Sequence, residues 1–279
     1  MLAYLIENTP KFAQTPSAFG LFHLLSLGMV LLLFVCLIVL RRYLPRGEKA
    51  LHGSLVIFGV GLLLLEIGKQ LVYSYDPVSG WAYNWDKFPF QFCSVPIYVS
   101  LVAMCLKEGS VRQALVAFLA TYSPVAGGAV LFYPAGSVFS EIVFLNVHTM
   151  LWHGAMLLYG LYLWLSGAVT PHIKTAGKAV LVYAPLNFMA LALNEASYAF
   201  GFAHGYDFNM FYTGRLGKCF IPVLSYIQAN YPYPVFFMSY LVVLGLGGLL
   251  VTLVMVGISW LCNIIQDRKK EREHDCIKN

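Results

Sequence analysis

Seven stretches of this chain are too long and too apolar to be accommodated in a water-soluble core: residues 18–40, 51–74, 89–106, 112–133, 141–165, 178–200 and 235–262. A helix needs about 20 apolar residues to cross the hydrocarbon of a bilayer. A helix is also the form in which a single segment satisfies its own backbone groups in lipid. The runs cover most of the 279 residues, so the sequence predicts one integral membrane domain over 1–279, an all-α bundle of seven transmembrane helices. With 59% hydrophobic and 11% charged residues the composition agrees, since soluble domains carry about 25% charged residues. Residues 201–234, rich in aromatics, Gly and Pro, read as a structured loop lying on or dipping into the bundle.

Charge sets the expected orientation. Arg41, Arg42, Arg46 and Lys49, then Lys107 and Arg112, then Lys174 and Lys178, then the basic tail place 13 basic residues on one side, against 4 on the other. The richer side is expected to be cytoplasmic, with the N-terminus outside and the C-terminus inside, in a multi-pass cell-membrane protein. The net charge of +5 then reflects insertion, and no nucleic-acid partner is expected. Glu7, Pro10 and Lys11 precede the first run and no small-residue cleavage site follows it, so it is expected to stay as a helix. Cys36, Cys93, Cys105, Cys219, Cys262 and Cys276 form no CxxC pair and no zinc spacing.

Several runs carry polar residues that lipid would reject. "LLLLEIGKQLVYSY" at 62–75 holds Glu66 and Lys69 one turn apart, with Gln70 and Tyr73 on the same helix face. A charge at the bilayer centre costs about 2.5–3.5 kcal/mol on insertion scales, so this stripe must face protein, its own partner or water. A structural ion pair fixing helix packing is one reading; a functional cavity is the other. Given the orientation above, His23, Glu66 to Tyr73, Cys93, His148 and Asn194 all fall in the outer half of their helices. One shared depth points to a polar cavity opening toward the outer leaflet.

The motifs exclude several chemistries. His148 and His153 lie about 140° apart on a helix, there is no HExxH, and no metal is expected. No phosphate-binding glycine loop and no GxSxG occur; "SPVAGG" at 123–128 reads as a kink or a close helix contact. A thiol and an imidazole remain: Cys93 as a nucleophile, His148 as its base, and Lys69 favouring the thiolate. Packing of a buried Cys near a buried His is the plainer alternative.

"FHLLS", "EIGK", the Pro-containing stretch ending at Cys93, "NVHTMLWHG" and "YDFNMFY" resemble the bacterial YwaF-type integral membrane family. These segments lie in the same order in transmembrane protein 164, a distant eukaryotic relative that acylates phospholipids with a Cys and a His. The resemblance implies Cys93 and His148 as catalytic residues, Glu66 and Lys69 as the helix pair, and Asn209 as the loop asparagine. The chain departs from it at Ser94 and Gln91, where relatives carry a histidine. The enzymatic reading is a phospholipid acyltransferase with a Cys93 acyl intermediate. A membrane phospholipid or other lipid would donate and accept the acyl group, and no cofactor would be needed. A small-solute or lipid transporter or binding protein, and a structural membrane protein, are the other readings.

Overall fold

The structure, a computed structural model, describes residues 1–134 and 138–278. Asn279, and the side chains of Cys262, Cys276 and the basic tail, lie outside what is described. The chain runs α1 (Leu2–Glu7), α2 (Leu21–Val39), α3 (Glu48–Tyr73), a hairpin of β1 (Tyr75–Asp76) and β2 (Gly80–Trp81), α4 (Val95–Cys105), α5 (Ser110–Phe132), α6 (Val143–Leu165), α7 (Ile173–Phe200), α8 (Leu224–Asn230) and α9 (Tyr233–Lys278).

Among the described residues five helices, α2, α3, α5, α7 and Tyr233–Leu261 of α9, are long and apolar enough to cross a membrane. Helix α6 has 23 residues, but polar groups such as Asn146, His148 and His153 interrupt its apolar character. Helix α4 has 11 residues, about 16 Å at 1.5 Å per residue, against about 30 Å of hydrocarbon.

The helix expected over 89–106 thus begins only at Val95. Pro96 sits in its first turn, where a missing N–H costs little. Ahead of it the carbonyl of Gln91 accepts from the amides of Ser94 (2.8 Å) and Val95 (3.2 Å), closing a turn instead of a helix. The last helix also differs from its expected span, continuing past 262 to Lys278.

Helix α5 is the centre of the bundle: it packs on α6 and α7, with α4 and α9 on its remaining faces. Small residues allow the closest approach. A side chain on Gly127 would collide with α6 at the His153 carbonyl and Met156, and one on Gly160 would collide with the Pro124 ring. "SPVAGG" is therefore the close helix contact. Trp164 locks the same interface by donating its indole N–H to the Ala120 carbonyl at 2.9 Å.

Helix α2 behaves oppositely. Only His23 and Val30 of its 19 residues are buried. It rests on α6 and leaves two apolar grooves, about 760 Å³ bounded by α2, α3 and α6, and about 450 Å³ between α2 and α6. Leucines facing outward are stable there only against hydrocarbon.

Candidate functional site

The polar stripe of α3 folds inward as its charges require. Glu66 is 4% exposed. Its Oε1 lies 2.7 Å from Lys69 Nζ and accepts from Gln70 Nε2 at 2.7 Å. Gln70 Nε2 also donates to the Lys87 carbonyl at 2.5 Å. Tyr73, the last member of the stripe, lies under the Lys87 ammonium, 5.0 Å from its ring centroid. The stripe thus ties α3 to the segment entering α4.

Lys69 Nζ also lies 6.0 Å from the ring centroid of Trp152 on α6. Trp152 is the hub of the site. Its indole N–H donates to the Cys93 carbonyl at 2.9 Å, and its ring stacks on His148 at 5.1 Å with 27° between planes. Cys93 lies within electrostatic range of Lys69 and Glu66, and His148 within range of Lys69 and His153. Helices α3 and α6 and the turn before α4 therefore bring Glu66, Lys69, Gln70, Cys93 and His148 to one place. Among the described residues no hydrogen bond joins the Cys93 thiol to the His148 ring, and the buried Nε2 of His148 has no partner.

A second layer holds the loop beneath α7. Gln91 donates to the Asn209 carbonyl at 2.8 Å and accepts from the Phe211 amide at 3.0 Å. Asn194, fully buried, accepts from the Met210 amide at 2.7 Å and donates to the Met210 carbonyl at 3.0 Å. Asn209 accepts from the Gly214 amide at 2.8 Å and donates to the Lys218 carbonyl at 3.1 Å. These amide side chains act as backbone partners. They hold Phe211 and Tyr212 at φ of 57° and 56°, a left-handed conformation that aromatic residues rarely adopt. Phe211 then stacks at 5.7 Å on Phe90 and meets Phe92 edge-on at 5.4 Å, so the loop closes over the Cys93 segment. Loop 201–234 is structured, as the composition implies.

His23 is not part of this site. Its Nδ1 accepts from the Phe19 amide and its Nε2 pairs with the Leu131 carbonyl, both at 2.9 Å. It clamps α2 to the end of α5, with Phe19 and Phe139 against its ring. The sequence reading missed two members, Trp152 and His153. His153 is buried, bonds the Thr149 carbonyl through Nδ1 at 2.8 Å and leaves Nε2 unpartnered; it lies within electrostatic range of Lys69. The doublet "WH" at 152–153, one turn after His148, is the signal that could have found both. Among the described residues no three His, Cys, Asp or Glu side chains are gathered to hold a metal.

A family model described as the TMEM164 family matches residues 18–256, from just before α2 to within α9. This chain belongs to the TMEM164 family. The match takes in every residue of the site, which places the α3 pair, Cys93, Trp152 and the clamped loop within the family's shared segment. No curated protein and no solved structure gave a match.

Proposed function

We propose that this TMEM164-family membrane protein transfers acyl chains between lipids, with Cys93 as the nucleophile and His148 as its base. The observation that carries the reading is the convergence of the Cys93 backbone, the His148 imidazole and the Lys69 cation on Trp152, where the Cys93 carbonyl is bonded at 2.9 Å, His148 is stacked at 5.1 Å and Lys69 lies 6.0 Å from the ring. His148 takes the thiol proton, and the sulfur attacks the ester carbonyl of a donor lipid. The C–S bond forms, the ester C–O bond breaks, and the leaving oxygen takes the proton from His148. An acceptor hydroxyl then gives its proton to His148 and attacks the thioester. The new C–O bond forms and the C–S bond breaks, and the proton returns to sulfur. Lys69 balances the developing oxyanion. The amides of Ser94 and Val95 are occupied by Gln91 and do not serve it.

The apolar groove of about 760 Å³ supports the same reading. Its upper end is formed by Leu65 and Leu151, about one helical turn from Lys69 and His148. An acyl chain lying there has its carbonyl end beside the site. We place the protein as a seven-helix member, α6 and the 89–106 segment joining the five long apolar helices, although the helical part of that segment, α4, crosses only about half of the hydrocarbon. The basic asymmetry of 13 residues against 4 supports an N-terminus-out orientation, in a bacterial plasma membrane. The missing thiol–imidazole bond favours the second reading, a lipid-binding or transport protein without catalysis. Lipid acyl composition of membranes expressing each variant separates the two. Cys93→Ala and His148→Ala fold normally and lose remodelling under the enzymatic reading, whereas Cys105→Ala, at the far exposed end of α4, does not. Unchanged remodelling with Cys93→Ala would remove the enzyme.

A further inference from the structure

The loop between α7 and α9 carries an apolar ridge that the described chain leaves uncovered. Leu216 is 72% exposed, Phe220 60%, Val223 66% and Tyr226 63%, although the segment that bears them is tightly held. Gln228 accepts from the Cys219 amide at 2.7 Å and donates to the Gly217 carbonyl at 2.8 Å. Leu224, the first residue of α8, is fully buried, and α8 packs on α9. Phe220 meets Tyr212 edge-on at 5.6 Å. Val223 has φ of 68°, a conformation that a β-branched residue rarely adopts. Strain of that kind persists only where the surroundings over-determine it, and the protein leaves this side chain mostly uncovered.

The loop's own contacts fix its depth. Asn194 bonds both backbone groups of Met210, Glu195 pairs with Arg215 at 3.2 Å, and the Leu216 amide donates to the Tyr198 hydroxyl at 3.3 Å. These partners precede Phe200, the end of α7, so the loop folds back along that helix by up to about 9 Å. Helix α7 has 28 residues, about 42 Å, against about 30 Å of hydrocarbon. Its last turns therefore stand in the interfacial layer, and the ridge follows directly from them. On the other side the Tyr233 hydroxyl, in the first turn of α9, donates to the Thr213 carbonyl at 2.8 Å. From there exposed apolar residues continue down α9 through Val235, Met238 and Val242, so the ridge is continuous with a surface that hydrocarbon covers. Arg215 and Lys218 flank Leu216 and are exposed, cations beside apolar side chains as in segments that lie in a membrane interface.

We infer that Leu216, Phe220, Val223 and Tyr226 form a wedge inserted into the interfacial layer of the bilayer at this end of the bundle. The side chains lie among the glycerol and upper acyl carbons of phosphoglycerides, with Arg215 and Lys218 at the phosphates. The wedge requires neither the acyl-transfer reading nor a particular leaflet.

Photolabelling of the unmodified full chain in phosphatidylcholine nanodiscs tests it. One probe is a phosphatidylcholine bearing a diazirine next to its ester carbonyl, the other a small water-soluble diazirine. Peptide mass spectrometry should find labelling of the four ridge residues dominated by the lipid probe. Val223→Asp adds a charge at an exposed position whose φ suits Asp better than Val. It should cause loss of lipid labelling over 216–226 while labelling of Val242 on α9 stays. Ridge labelling dominated by the water-soluble probe would overturn the inference. So would labelling by neither probe, the sign of a protein partner on this face, or lipid labelling that Val223→Asp leaves unchanged.

Discussion

Glu66 and Lys69 are worth more together than apart. Removing one member of a buried pair strands the other, at about 3–5 kcal/mol, whereas replacing both with apolar residues can be near neutral. Glu66→Leu and Lys69→Leu should each lower the folded yield in detergent, and the double substitution should recover part of it. A double variant as poor as the two losses combined would show that they are not coupled. His23 makes a contrasting case. His23→Phe leaves the Phe19 amide and Leu131 carbonyl unpaired, each costing about 1–3 kcal/mol. It should lower the melting temperature and leave lipid remodelling intact; lost remodelling in a folded His23→Phe protein would return it to the site. The α3 pair was legible in the sequence because its geometry is local, i to i+3. His23 was misplaced because depth along a helix says nothing of which neighbour that face meets. Trp152 was missed because its partner at Cys93 lies 59 residues away, and a tryptophan in an apolar run reads as filler.

At the level of elements, the turn at 89–94 and the loop at 209–219 form one unit. Gln91 and Asn194 both bond loop backbone, so the loop's left-handed residues persist only while those amides are in place. Asn194→Ala should loosen the loop and speed amide exchange at Met210 without unfolding α7. Unchanged exchange there would mean that aromatic packing alone holds it. Apolar composition made 89–106 look like a full span, because hydropathy cannot see that Gln91 is engaged by a loop 118 residues later. The α5–α6 contact was half legible. "SPVAGG" marked one side, but its match, Gly160 on the Pro124 ring, depends on how two distant helices meet. Gly160→Leu should separate them at a cost of about 1–3 kcal/mol or more, seen as a lower melting temperature, while Gly177→Leu, with open space around it, should be tolerated.

For the whole molecule, the membrane class was legible from length and hydropathy alone. The shortness of α4 was not, since it depends on how the chain is held at Gln91; α6 is long enough, and it is Asn146, His148 and His153 that make it less apolar than the other long helices. The excess of 13 basic residues over 4 predicts a cytoplasmic C-terminus. A reporter active only in the cytoplasm, fused after Asn279, should give signal; a well-expressed silent fusion would invert the bundle and with it the leaflet that the site faces. Two apolar recesses flank α3, of about 760 and 360 Å³, and the proposed exchange on Cys93 would draw its lipid chains from recesses of this kind. The most direct measurement is the intact mass of the purified protein before and after hydroxylamine. The account predicts a fatty acyl increment that hydroxylamine removes, absent in Cys93→Ala and present in Cys105→Ala. An increment that persists in Cys93→Ala, or no increment when donor lipid is supplied, would contradict it.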